Sequence, residues 1–173
     1  MELEMTRAIL ATTPQRWTSL IETVPEGLLQ RPSTSGEWSA VDCLLHLLTV
    51  ERDLFSVRLR HILEGRSELV PFADDAFANP RSDRSSKELL AEFVKLRGEN
   101  GAVLAGFKPE DLDRSSVHPQ YGVEITLDNL LNLWAAHDLQ HTMQAEEALM
   151  QAFIPGTSVW RPEFAAHDVE ARS

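Results

Sequence analysis

The sequence predicts an all-α protein, a four-helix bundle with long crossover loops. Three observations carry this. Four stretches repeat apolar residues at intervals of three and four, the signature of one helix face. Two of them open on Ser with an acidic residue three positions later, the pattern of an N-terminal capping box. No stretch shows the strict alternation of a half-buried strand.

The first helix is expected over 2–24, with Ile9, Leu10, Trp17, Leu20, Ile21 and Val24 inward. Pro14 interrupts it and either kinks it or marks its true start. The second starts after Ser39, with Asp42 completing the cap, and carries Val41, Leu44, Leu45, Leu48, Phe55, Leu59, Ile62 and Leu63 to Gly65, a plausible residue just past the helix end. The third starts after Ser85, capped with Glu88, and carries Leu89, Leu90, Phe93, Leu96, Val103, Leu104 and Phe107. The fourth runs from about 126 to 153, with Leu127, Leu130, Leu131, Trp134, Leu139, Met143, Ala148 and Leu149 as its stripe, and Pro155-Gly156 stops it. Residues 1–155 thus read as a single domain and 156–173 as a tail with room for a short helix. Two connections, 66–84 and 108–125, exceed the usual loop length, which marks functional or crossover segments. The first is long enough to return along a helix of roughly 35 Å, so helices two and three are expected to run parallel.

The chain has 173 residues, 43% apolar and 25% charged, enough for one core without staples. Its net charge of −11 argues against nucleic acid and anionic membranes as partners. Cys43 is the lone cysteine and no apolar leader is visible, so a cytoplasmic location is the expectation. No apolar run approaches the ~18 residues of a membrane span.

The chemistry is carried by histidines. His137 and His141 stand at i, i+4, which stacks two imidazoles on one helix face, about 5–6 Å apart at Cβ. Such a pair arises by chance in about one in five chains with this histidine content, so spacing alone decides little. Position adds more: Leu130, Trp134, His137, His141 and Ala148 share one stripe, and imidazoles facing a core need partners. A hydrogen-bonded core pair and a metal site both supply them. His46, on the apolar second helix, would be a third ligand, and three imidazoles leave positions open, as catalytic sites do. A carboxylate-bridged di-iron site is disfavoured, because no His has Glu three positions before it. No Gly-x-Ser-x-Gly turn, Cys-His signature or Gly-rich phosphate loop is present.

Several neighbours qualify for the site. Asp138 either orients a ligand imidazole or is solvated. Gln144 lines the same pocket or bonds backbone. Glu51 more simply pairs with a base such as Arg97 or Arg58. Trp38 serves as a hydrophobic staple or a stacking surface. Trp134 walls the pocket or fills core. Cys43 reads as a small buried hydrophobe, with thiolate ligation the alternative. His118, with Tyr121 in the second long loop, is placed on a rim over the metal. His61 suits a helix C-terminus, and His167 the solvent.

Trp38-Ser39, His46-Leu47 and Glu51, then Glu92-Phe93 with Arg97, Tyr121-Gly122 before Thr126, and His137-Asp138-x-x-His141-x-x-Gln144 together resemble the DinB/YfiT-like metalloenzyme superfamily over about 38–149. That resemblance implies a bundle in up-down-down-up order and one divalent metal on His46, His137 and His141. It also implies a homodimer, and for several members thiol transfer with bacillithiol, mycothiol or glutathione. The expectation is therefore a metal-dependent enzyme on a small substrate, an S-transferase or a hydrolase. Zn²⁺ or Ni²⁺ suits the three imidazoles best, with Fe²⁺ a third choice. The rival is a non-catalytic bundle that binds a metal or small ligand as a sensor or interaction module.

Overall fold

The computed structural model describes residues 3–34, 37–71 and 82–170. Four long helical elements form the bundle. Helix α1 (Leu3–Thr23) is followed by one turn, α2 (Glu26–Leu29). Helix α3 (Ala40–Val50) passes through a π-helical turn (Glu51–Phe55) into α4 (Ser56–Leu63). Helices α5 (Ser86–Ala105) and α6 (Leu127–Met150) complete the set. A 3-10 segment (Ile154–Phe164), kinked at Ser158, follows α6 and begins earlier than the short tail helix expected from sequence. Its downstream chain is tied back to α6, where Gln151 Nε2 donates to His167 O at 2.9 Å.

The caps form as the sequence dictates. Ser39 and Asp42, Ser85 and Glu88, and Thr126 and Asn129 each satisfy one another's backbone N–H groups. At the end of α4, Gly65 adopts φ 66°. Its N–H donates to Ile62 O while that of Arg66 donates to His61 O, the paired bonds of a left-handed helix stop.

Side-chain bonds fix the order of the helices. Arg7 of α1 reaches Leu104 O of α5, and Arg97 of α5 reaches Leu10 O, so these helices are antiparallel. Glu51 meets Arg97 and Ser56 meets Asn100, so the α3–α4 rod and α5 are parallel. His46 meets His137 and Glu51 meets Trp134, so α3 and α6 are antiparallel. The bundle is up-down-down-up, and the parallel pair requires the long crossover. Its central part, 72–81, lies outside the described residues.

Two short strands, β1 (Ser115–Val117) and β2 (Glu124–Thr126), form an antiparallel hairpin before α6. The sequence reading shows no strand, because three residues are too short to display a period. The hairpin is also tied to the first crossover, with Leu69 N donating to Val117 O and Val117 N to Ser67 O, both at 2.9 Å.

The interior divides into two apolar clusters. One gathers Leu10, Val50, Phe55, Leu59, Leu130 and Trp134; the other gathers Trp17, Leu44, Leu48, Leu89, Phe93 and Ala145. Val103 and Met143, assigned to apolar faces by their spacing, are exposed. Polar residues of α5 and α6 take interior places instead: Arg97, Asp138 and Thr142 are all buried.

Candidate metal centre

His46 projects from α3, and His137 and His141 from one face of α6. The Nε2 atoms of His46 and His137 are 3.0 Å apart. The ring centre of His141 is 4.4 Å from each of the other two. One ligating nitrogen from each ring lies within 4.8 Å of the others, and among the described residues this is the group of side chains able to hold a metal ion.

Two nitrogens bound at ~2.1 Å to one ion stand roughly 3.0–3.4 Å apart, so the His46–His137 separation fits a shared cation. The remaining separations are no more than 4.8 Å. The electronic state fits as well. Burial, then His141, His46 and Arg97, drive the His137 pKa down to about 3, and burial lowers that of His141. Both rings are therefore neutral at pH 7 and keep a nitrogen lone pair for a metal. Gln144 Oε1 accepts from His141 Nδ1 at 2.8 Å, which leaves the lone pair on Nε2. Gln144 thus lines the centre rather than bonding backbone.

Trp38 packs its ring on His141 (5.6 Å between centres, planes at 25°) and on His46 (4.8 Å). Phe55 meets His137 edge-on at 5.4 Å and stacks flat on Trp134 at 4.9 Å. Aromatic rings thus flank the histidines, and Trp134 acts one layer back.

Glu51, Arg97 and Asp138 form a second cluster beside this one, exposed by 0%, 3% and 1%. Arg97 binds Glu51 through Nε (3.0 Å) and Nη2 (2.8 Å), and Asp138 through Nη1 (2.5 Å) and Nη2 (3.0 Å). Trp134 Nε1 donates to Glu51 Oε2 at 3.0 Å, and Asn100 Nδ2 to Oε1 at 2.7 Å. Burial opposes the guanidinium's charge, but Asp138 and then Glu51 outweigh it, and the Arg97 pKa is raised. Asp138 is accordingly neither solvated nor hydrogen-bonded to a ligand histidine.

Arg97 Nη1 also donates to Leu10 O at 3.0 Å. Pro14 explains why that carbonyl is available: it has no N–H to return to the residue four before it. The proline sits inside a continuous α1, and an arginine from a neighbouring helix takes the bond it cannot make.

The other candidates fall elsewhere. Cys43 is fully buried, and burial, followed by Asp42, pushes its thiol up to about 12, so it is a small hydrophobe and no thiolate ligand. His118 is not one of the three grouped histidines; it lies under Tyr121 and against Arg58. His61 Nδ1 faces Glu68 O at the end of α4, and His167 is exposed beside Glu147.

A cavity of about 480 Å³ has Trp38 and Gln144 among its walls, with Glu37, Glu147, Ala148 and Val169. A larger one, about 720 Å³, lies between α1 and α5 and contains no histidine. The smaller is the one relevant to the centre, because two of its walls touch the imidazoles.

An up-down-down-up bundle with three imidazoles converging from its second and fourth long rods defines a class of helical proteins with a metal-type core site. The model of the DinB superfamily matches residues 9–145, and the chain belongs to that superfamily. It is similar to YfiT of Bacillus subtilis (strain 168), 21% identical over 141 residues that cover 80% of this chain and 79% of YfiT. The solved structure of YfiT, described as a probable metal-dependent hydrolase with an unusual four-helix bundle topology, superposes with a TM-score of 0.75 over 88% of this chain and 87% of YfiT, at 20% identity. A conserved protein from Enterococcus faecalis has the same fold at 13% identity, with a TM-score of 0.64 over 87% of this chain and 96% of its own.

Proposed function

We propose that the protein is a divalent-metal-dependent enzyme acting on a small molecule, with His46, His137 and His141 as the protein ligands. The observation that carries this reading is the meeting of imidazole nitrogens from two rods, 3.0 Å apart at the closest, inside a bundle core. A divalent ion held there would supply Lewis acidity and bring the pKa of a bound water or thiol into the physiological range. The protein's own residues do the rest. Gln144 fixes the His141 tautomer. Trp38 covers two of the rings and forms a wall of the adjacent cavity, where a substrate of modest size fits. Three protein ligands leave coordination positions for water and substrate. YfiT's description favours hydrolysis. Thiol transfer uses the same site with a thiol in place of water and is the second branch of the test. Zn²⁺ and Ni²⁺ are the ions this donor set suits best, and the working form is a homodimer.

The test begins with metal content. The purified protein should hold one ion per chain, and His137→Ala should lose it while keeping its helical circular dichroism. Absence of metal from both, even after reconstitution with Zn²⁺ or Ni²⁺, overturns the proposal and leaves a hydrogen-bonded histidine core. Loaded protein is then assayed on a panel of esters and amides, and on low-molecular-weight thiols with electrophilic acceptors. Bound metal with no turnover in either panel points to a sensor or interaction module.

A further inference from the structure

We propose that Arg58 and His118 form an anion-binding site, separate from the three histidines, for a carboxylate or phosphate group on a small molecule. The site lies beneath Tyr121, where the first crossover meets the hairpin.

Arg58 is 5% exposed. Its Nη2 reaches Val70 O at 3.3 Å and His118 Nε2 at 3.2 Å. Its Nε is buried with no hydrogen-bond partner. Among the described residues no carboxylate lies within ion-pair distance of it. The contrast with Arg97, which is buried to the same degree and holds two carboxylates, is direct. A buried guanidinium needs both its donors and its charge answered, and backbone carbonyls answer only the donors. Water would have the same shortcoming.

His118 sharpens the point. It is 8% exposed, and its Nδ1 accepts from Gln120 N at 3.3 Å. A neutral imidazole has one lone pair, and both ring nitrogens of His118 face a donor, Nδ1 the Gln120 N–H and Nε2 the Arg58 Nη2, so one of the two contacts sets N–H against N–H. With the proton on Nε2, that conflict falls between His118 and Arg58. An oxyanion bridging the two nitrogens from one side would accept from both and would also reach the Nε edge of Arg58, the fork that planar carboxylates and phosphates occupy. Tyr121 stacks on His118 with 4.6 Å between ring centres and is 68% exposed, so one face of the imidazole is covered by a ring that itself meets solvent. Burial lowers the Arg58 pKa, with the Tyr121 side chain opposing it, in keeping with a cation that lacks a counter-charge.

The experiment is an NMR titration of the full chain, following the Arg58 Nε–H and His118 ring signals. The probes are inorganic phosphate and formate, with chloride at matched ionic strength as control. A saturable shift with formate assigns a carboxylate ligand, and one with phosphate a phosphate ligand. Arg58→Lys should weaken the response about tenfold, and Arg58→Gln should abolish it. His118→Gln keeps a donor but loses the ring, and should weaken it less. No response above the chloride control in the wild-type protein, or an undiminished response in Arg58→Gln, overturns the proposal. If Arg58→Gln does not fold, the wild-type titration and His118→Gln still decide. Chelating any bound metal should leave the titration unchanged, so failure here and failure of the metal reading are separate results.

Discussion

Two buried polar clusters lie side by side on α6, and they are built in opposite ways. In the Glu51–Arg97–Asp138 cluster each formal charge faces an opposite one, and donors from Trp134 and Asn100 take up further oxygen capacity. In the His46–His137–His141 cluster three rings bring nitrogens together, two of them held neutral by burial, and His137 Nδ1 is buried without a hydrogen-bond partner. The first is closed on itself and can only hold helices together. The second has capacity left over, and that is where a ligand has something to bind. Residues 137 and 138 are neighbours in sequence and fall on opposite sides of this divide.

Breaking the closed cluster should give the largest effect. Arg97→Met leaves Glu51 and Asp138 buried without a cation, and unfolding in urea should show a loss of about 3–5 kcal/mol. Adding Glu51→Gln and Asp138→Asn to that variant should recover much of the loss, because the uncompensated charge is then gone. Failure to recover would mean that the cluster acts by shape rather than charge.

The open cluster should respond in metal affinity. Gln144→Ala removes the acceptor that sets the His141 tautomer, and competition with a chelator should show affinity lower by about 10–100-fold with the fold intact. An unchanged affinity would remove Gln144 from the centre.

Acid sharpens the contrast further. In the folded protein the His137 pKa is about 3, against 6.5 for a free imidazole. Between those values the unfolded chain binds a proton that the folded chain refuses. Metal-free protein should therefore keep this contribution to stability above about pH 6.5 and lose it progressively as the pH falls toward 3. Urea midpoints across that window should slope less steeply in His137→Phe. Equal slopes would show that the ring is not held neutral.

The smallest effect is expected at Cys43, which belongs to neither cluster. Cys43→Ala should cost about 1 kcal/mol and leave metal content unchanged. A loss of metal would place the thiol in the centre after all.

How far the sequence discloses this arrangement depends on whether a feature is local. The capping pairs, Gly65, and the i, i+4 histidines are written within one turn or two, and each lies where its spacing puts it. The convergence of His46 on the α6 pair is legible only as two inward histidines on separate rods. The Arg97–Asp138 bond is not legible, since it depends on the relative register of α5 and α6. The sequence offers Glu51 a basic partner in Arg97 or Arg58, and Arg97 is that partner. His118 is read from loop membership alone, and loop membership says nothing of direction. The link between Pro14 and Arg97 joins a missing N–H in one helix to a side chain of another, which no single-helix pattern contains.

The π-helical turn at Glu51–Phe55 has a consequence for how the second rod tolerates change. It widens the screw within one continuous rod, so the residues upstream that carry His46 and those downstream that carry Leu59 and Ile62 can both aim inward. A π turn spends about one residue more than an α turn on the same rotation. Cutting one residue from 51–55 would return this stretch to an α screw and leave His46, Leu59 and Ile62 on the inward side, whereas the same cut within α3 or α4 would rotate everything after it by about 100°. Length is thus more negotiable at 51–55 than elsewhere along the rod, and a one-residue gap placed there in alignments of distant relatives would keep the faces matched.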